Sequence, residues 1–115
     1  MTPTAFIEKW QKTKLSERSS AQEHFLDLCK VLEQPTPAEA DPTAEFYAFE
    51  KHVAKSTGGK GFADVWRKDF FAFEYKRKGR NLNDAYVQLL LYREDLGNPP
   101  LLVVSDINKI QIHTN

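Results

Sequence analysis

Hydrophobic positions along this chain recur first with a helical period and later with a strand period. Phe6, Ile7 and Trp10 share one face of residues 4–14, with Pro3 near the start, which predicts a helix. Ala21, Phe25, Leu28, Cys29 and Leu32 continue the pattern and predict a second helix, from Ser16 or Ser20 to Glu33. Residues 34–42 hold three prolines and no large apolar side chain, so they read as a loop too short to divide the chain. After that the period shortens. EFYAFEKHV (45–53), FADVW (62–66) and DFFAFEYK (69–76) read as strands, with STGGKG as a glycine turn and Arg67-Lys68 as a hairpin turn. Asn81 or Asn83 caps a third helix with the body DAYVQLLLYREDL, which Gly97, Pro99 and Pro100 bring to an end. LLVVSD and KIQIHT are the last two strands, joined by a turn at 106–108. The order α, α, β, β, β, α, β, β predicts an α/β domain with a mixed central sheet flanked by helices.

Length adds that this is one domain of 115 residues, with helices at 1–34 and an α/β core at 45–115. No apolar run approaches the ~20 residues of a membrane span, and MTPTAFIEKW carries charge where a signal peptide needs an apolar stretch. A cytoplasmic location without a membrane partner is expected. A single cysteine, Cys29, excludes an internal disulfide and the common zinc spacings; among Phe25, Leu28 and Leu32 it reads as a buried thiol.

The net charge is zero, but its distribution is uneven. Residues 51–80 carry nine Lys and Arg against three acids, while the rest of the chain carries seven basic and thirteen acidic residues. A basic segment around isolated carboxylates suits phosphate handling; a solvated lysine-rich hairpin is the plainer reading.

Those carboxylates are spaced for chemistry. In DVWRKDFFAFEYK (64–76), strand alternation puts Glu74 and Lys76 on one face with Phe73 and Tyr75 on the other, and the hairpin returns Asp64 to within reach of Glu74. Two adjacent carboxylates repel each other, and a hard divalent cation relieves that repulsion. Mg2+ accepts one or two carboxylates together with water and phosphate oxygens, and it acidifies a bound water. Lys76 would orient that water or offset the developing charge. The bland alternative is a cross-strand ion pair worth ~0.2–1 kcal/mol.

Asp64, nine residues, then Glu74-Tyr75-Lys76 resembles the D-x(n)-E-x-K signature of the PD-(D/E)XK nuclease superfamily. Gln88 and Tyr92 in the third helix resemble the Q-x-x-x-Y motif of its RecB-like members, against the plainer reading of an amphipathic helix with a polar edge. ERSSAQEHFLDLCKVL, PTPAEADPTAEFYAFEK, GFADVWRKDFFAFEYK and NPPLLVVSDINKIQIHTN together resemble the N-terminal domain of bacterial restriction–modification polypeptides of type IIG/IIL-like organisation. The likeness covers residues from about 15 to 115.

It implies a restriction-endonuclease-like fold and a Mg2+-dependent DNA endonuclease, with Mn2+ able to substitute. It also implies an adenine methyltransferase further along the chain, which alone would use S-adenosylmethionine. Asp64, Glu74 and the Tyr75 carbonyl would hold the metal, and Lys76, Gln88 and Tyr92 would complete the site. An acid from the first core helix would assist: Glu17 is preferred, because Glu23 has a structural reason in a Ser20-x-x-Glu23 capping box. Ala63 stands where the superfamily often has proline. Lys60, Arg67, Lys68, Arg77, Lys78 and Arg80 would meet the DNA backbone. The expected partners are double-stranded DNA, the methyltransferase and specificity domains of the same polypeptide, and a second copy in a transient dimer on DNA. A catalytically inactive, DNA-binding or packing module is the competing reading, and a structural domain with a fortuitous hairpin is a third.

Other signals carry less. Asn98-Pro99-Pro100-Leu101 lacks the aromatic of a methyltransferase N-P-P-[YF] motif, and Gly58-Gly59-Lys60-Gly61 lacks the spacing of a P-loop. His24, His52 and His113 have no metal-ligand spacing, and His24 reads as an edge residue of the second helix. Trp10 and Trp66 read as packing residues.

Overall fold

The computed structural model describes every residue except Leu15 and Ser16 and the side chains of Glu17 and Arg18. Helix α1 (Pro3–Lys12) starts where the Thr2 hydroxyl accepts the Ala5 N–H and Pro3 stands in the first turn, where no N–H is needed. Helix α2 (Glu17–Val31) follows, then a short α3 (Pro37–Ala40). The strands are β1 (Tyr47–Ala54), β2 (Lys60–Arg67), β3 (Phe71–Tyr75), β4 (Leu101–Ser105) and β5 (Ile110–Thr114), with α4 (Leu82–Tyr92) between β3 and β4. No helix among the described residues is long and apolar enough to cross a membrane.

The sheet runs in chain order, β1-β2-β3-β4-β5, antiparallel at every pair except β3/β4. That parallel pair requires a crossover, which α4 supplies. Two cores result. Ala63, Trp66, Ala72, Val104 and the buried stripe of α4 (Ala85, Leu89, Tyr92) fill one face. Trp10 of α1 and Phe25 and Cys29 of α2 cover Tyr47, Val65, Phe73, Tyr75 and Val103 on the other. The mixed, helix-flanked α/β sheet expected from the sequence is present.

Several details depart from the expectations. Residues 34–42 are not all loop: Thr36 and Glu39 form a reciprocal capping box around Pro37, so the T-P-x-E signature wins locally over the density of prolines. Ser20 does not cap α2, because the helix has already begun at Glu17; Ser20 is buried inside it. Glu23 instead pairs with Lys9 of α1 at 2.7 Å. Ile7 and Leu32, read as apolar-face residues, stand 52% and 59% exposed, since the covering layer reaches only the Trp10 and Cys29 edges of those helices. The third helix ends at Tyr92 rather than Leu96; a turn carries the chain to Gly97, whose φ of 81° suits glycine. His24 is no edge residue, being wholly buried.

One irregularity shapes the sheet near Asp64. The β1/β2 pairing passes from Phe49↔Val65 to Lys51↔Ala63 and skips Glu50 and Asp64. Residues two apart on a regular strand share a face, yet Ala63 packs toward α4 and Val65 toward α2. The ribbon therefore turns over at Asp64. Glu50, opposite, takes the left-handed φ of 50°, a conformation costing about 1–3 kcal/mol in a non-glycine residue.

Candidate active site

The twist has a direct consequence at the next strand. β2 and β3 pair through Arg67↔Phe71, Trp66↔Ala72 and Val65↔Phe73, and the described pairing stops there. Beyond that point the Tyr75 N–H finds the Asp64 side chain instead, donating to Oδ2 at 2.7 Å. The strands part, and a cleft of about 280 Å3 opens between them, bordered by Asp64, Glu74, Lys76, Gln88 and Tyr92. Ala21 and Gln22 of α2 line it from one side, and Glu50 and Phe62 from β1 and β2.

Each side chain is placed by its element. Glu74 follows Ala72 onto the α4 face and is only 4% exposed. Lys76, just past the end of β3, is held at the strand by its N–H to the Ser105 carbonyl. Its Nζ donates to Gln88 Oε1 at 3.3 Å, and Gln88 Nε2 donates to the Tyr92 hydroxyl at 2.8 Å. Gln88 and Tyr92 meet because residues four apart on a helix lie one above the other. The structure thus brings Asp64, Glu74, Lys76, Gln88 and Tyr92 to one cleft.

Tyr75 points to the opposite face. Its phenol bonds His24 Nδ1 at 2.8 Å, and burial, with the nearby Asp64 charge adding to it, raises its pKa well above the ordinary tyrosine value. Burial likewise lowers His24 from 6.5 to about 4, against the pull of Asp27. The imidazole is therefore neutral near pH 7, and the bond ties α2 to the strand that carries Glu74.

Of the helix acids, Glu17 opens α2, but its side chain lies outside the described residues; Glu23, in its pair with Lys9, does not line the cleft. The basic residues divide. Lys60, Lys68, Arg77 and Arg80 are exposed. Arg67 lies over the rings of Tyr47 and Phe70, at 4.9 and 4.6 Å. Lys78 donates to the carbonyls of Trp10 and Thr13, at 2.8 and 2.7 Å, and so caps the end of α1.

Sequence reasoning overlooked Glu50, Gly61 and Phe62 at the cleft. Nothing in a regular strand reading places them there, because the turnover at Asp64 moves them. It also overlooked Asp27, buried at 4% and accepting from Trp10 Nε1 at 3.1 Å and Lys9 Nζ at 2.7 Å. An acid three residues past His24 on the covered face was the available signal.

The cleft's donors suit a hard cation. Asp64 and Glu74 offer carboxylate oxygens, and Tyr75 lines the same cleft. Among the described residues, no three His, Cys, Asp or Glu side chains gather closely enough to hold a metal ion by themselves. Two carboxylates completed by water, main chain and substrate oxygens is the regime of Mg2+ rather than that of a thiolate or imidazole zinc cage.

Comparison with curated proteins and with solved structures finds no match. A family model described as "MmeI, N-terminal domain" matches residues 1–114, consistent with the N-terminal domain of a type IIG restriction–modification enzyme. Since that match spans nearly the whole sequence, the chain belongs to the MmeI N-terminal domain family.

Proposed function

We propose that this chain is the DNA-cleaving domain of a restriction–modification polypeptide, hydrolysing phosphodiesters of double-stranded DNA with Mg2+, or Mn2+ in its place. The observation that carries the reading is the convergence of Asp64, Glu74 and Lys76 on one cleft, with Lys76 tethered to Gln88. Asp64, Glu74 and the Tyr75 carbonyl would hold the cation. When bound, it would supply an acidified water and offset negative charge on the phosphate. Lys76 lines the same cleft as the carboxylates, its ammonium held by Gln88, so its charge would be available to offset charge growing on the phosphate. Asp64 is fixed by the Tyr75 N–H, which limits the reorganisation needed when a substrate arrives. Exposed Lys60, Lys68, Arg77 and Arg80 would track the DNA backbone without reading sequence, leaving target choice to other domains of the polypeptide.

The test uses the intact polypeptide and supercoiled plasmid. Mg2+ or Mn2+ should produce nicks or breaks, and Asp64→Ala or Lys76→Ala should abolish them. Undiminished cleavage by either variant removes that residue from the mechanism. Absence of cation-dependent cleavage in the wild type leaves a DNA-binding or packing module instead.

A further inference from the structure

Gly61 of β2 sits where the cleft meets α4. A Cβ built on it would lie 2.8 Å from Tyr92 Cζ and 3.1 Å from Cε1, and closer still to the hydroxyl oxygen. Tyr92 has little freedom to retreat. It is 1% exposed, packed with Ala63, Leu89 and Leu96, and its hydroxyl accepts from Gln88. The glycine is not required by backbone conformation. Gly58 and Gly59 in the same hairpin have φ of 92° and 94° and open space around them, whereas Gly61 lacks a left-handed φ and faces a ring. Its missing side chain is needed for room alone.

We infer that Gly61 is a positioning residue for Lys76: the space it leaves lets the Tyr92 hydroxyl reach Gln88, and Gln88 in turn aims the ammonium. The inference rests on the nuclease reading for its purpose, but not for its geometry. A methyl at position 61 pushes the phenol off Gln88 Nε2, the amide turns, and Oε1 no longer receives Lys76. The carboxylates are untouched, so cation binding should survive while the reaction slows.

In the intact polypeptide, Gly61→Ala should lower Mg2+-dependent cleavage about 100-fold, the scale of a reacting group misplaced by about 1 Å. Calorimetric Mn2+ affinity should stay within about 2-fold of wild type. Tyr92→Phe should show a loss of its own, and adding Gly61→Ala to it should cost no more than about a further 2-fold, because two changes acting through one contact do not add. A full additional loss in the Tyr92→Phe background would overturn the inference. Should Gly61→Ala fold poorly, Tyr92→Phe alone keeps the contact measurable: it should slow cleavage and move the Gln88 side-chain amide, and leaving both unchanged would overturn the inference. A second readout is independent of DNA. In NMR spectra of this chain the Gln88 side-chain amide should move in Gly61→Ala. An unmoved amide overturns the inference whether or not DNA is cut, and so does a moved amide with undiminished cleavage. A moved amide in a polypeptide whose wild type never cuts strikes the nuclease reading and leaves the contact standing.

Discussion

Asp64 accepts the main-chain N–H of Tyr75 at 2.7 Å, across the step where β2 and β3 have stopped pairing. A side chain occupies the place of a ladder carbonyl, and the acid that closes the sheet locally is also the one that opens onto the cleft. One carboxylate oxygen is engaged by the strand, and the other is unused by the described residues. The same group therefore has a structural duty and a chemical one, which substitution can separate.

Asparagine retains an acceptor at that position and alanine does not. Asp64→Ala should destabilise the chain by about 1–3 kcal/mol, because the Tyr75 N–H loses its partner in a half-buried setting. Asp64→Asn should lose less than about 1.5 kcal/mol. Both should lose Mn2+ binding, since the charge is gone in either. Urea unfolding and calorimetry on the three proteins check this. Wild-type Mn2+ affinity in Asp64→Asn would mean that the charge at position 64 does not hold the cation.

Lys78 offers a similar separation. Its ammonium reaches the carbonyls of Trp10 and Thr13, where it satisfies two acceptors and complements the negative end of α1. Lys78→Ala should then cost about 1–2 kcal/mol in unfolding experiments. A phosphate contact would show differently, by flattening the dependence of log DNA affinity on log salt by about 0.9. The expected outcome for Lys78→Ala is lowered stability with an unchanged salt slope, and for Arg77→Ala or Arg80→Ala the reverse. A flattened slope in Lys78→Ala at wild-type stability would return Lys78 to the DNA-contacting set.

Asp27 is a buried acid with no part in the proposed chemistry. It receives Trp10 Nε1 at 3.1 Å, and Trp10 is 2% exposed, so Asp27→Leu leaves an indole N–H buried without a partner. The expected cost is about 1–3 kcal/mol. Of the acid's two ion-pair partners among the described residues, Lys30 lies at 3.9 Å and Lys9, at 2.7 Å, is partly exposed, so Lys9→Met should change stability by less than about 1 kcal/mol. Equal losses in the two variants would show that the ion pair, and not the indole bond, is what the acid supplies.

The sheet and its flanking helices were legible because Phe25, Phe73, Leu89 and Val104 obey their periods, and because Gly58-Gly59, Asn81 and Gly97 sit where turns and caps need them. The grouping of Asp64, Glu74 and Lys76 was legible too, since hairpin closure and alternation are local rules. The rest depended on departures from those rules. The turnover at Asp64 goes with a left-handed φ at Glu50 opposite it, which glutamate gives no reason to expect, and beyond it Gly61 and Phe62 line the cleft. His24 was misplaced for another reason. A histidine between exposed Glu23 and buried Phe25 could fall on either side of the helix edge, and only the phenol of Tyr75, fifty-one residues on, decides which.

That histidine makes the stability of the chain depend on pH. His24 is wholly buried, its ring centroid 4.9 Å from that of Phe6, 5.1 Å from Trp10 and 5.4 Å from Tyr75. Nδ1 meets the Tyr75 hydroxyl, and Nε2 has no hydrogen-bond partner among the described residues. A proton on this ring would bury a cation away from water, and burial accordingly lowers its pKa to about 4. In the unfolded chain the same ring takes its proton near 6.5, so between those values the unfolded state binds more protons. Stability therefore falls as pH drops from about 6.5 to about 4, by about 3 kcal/mol across the interval, and His24 adds no slope above pH 7. His24→Phe removes the titrating group while keeping an aromatic ring in its place. Without divalent cations present, urea midpoints measured from pH 4.5 to 7.5 should show the wild type losing stability relative to His24→Phe as the solution is acidified. A difference between the two proteins that stays constant across that range would mean the folded imidazole protonates as readily as the unfolded one, and that its enclosure by Phe6, Trp10 and Tyr75 is not maintained in solution.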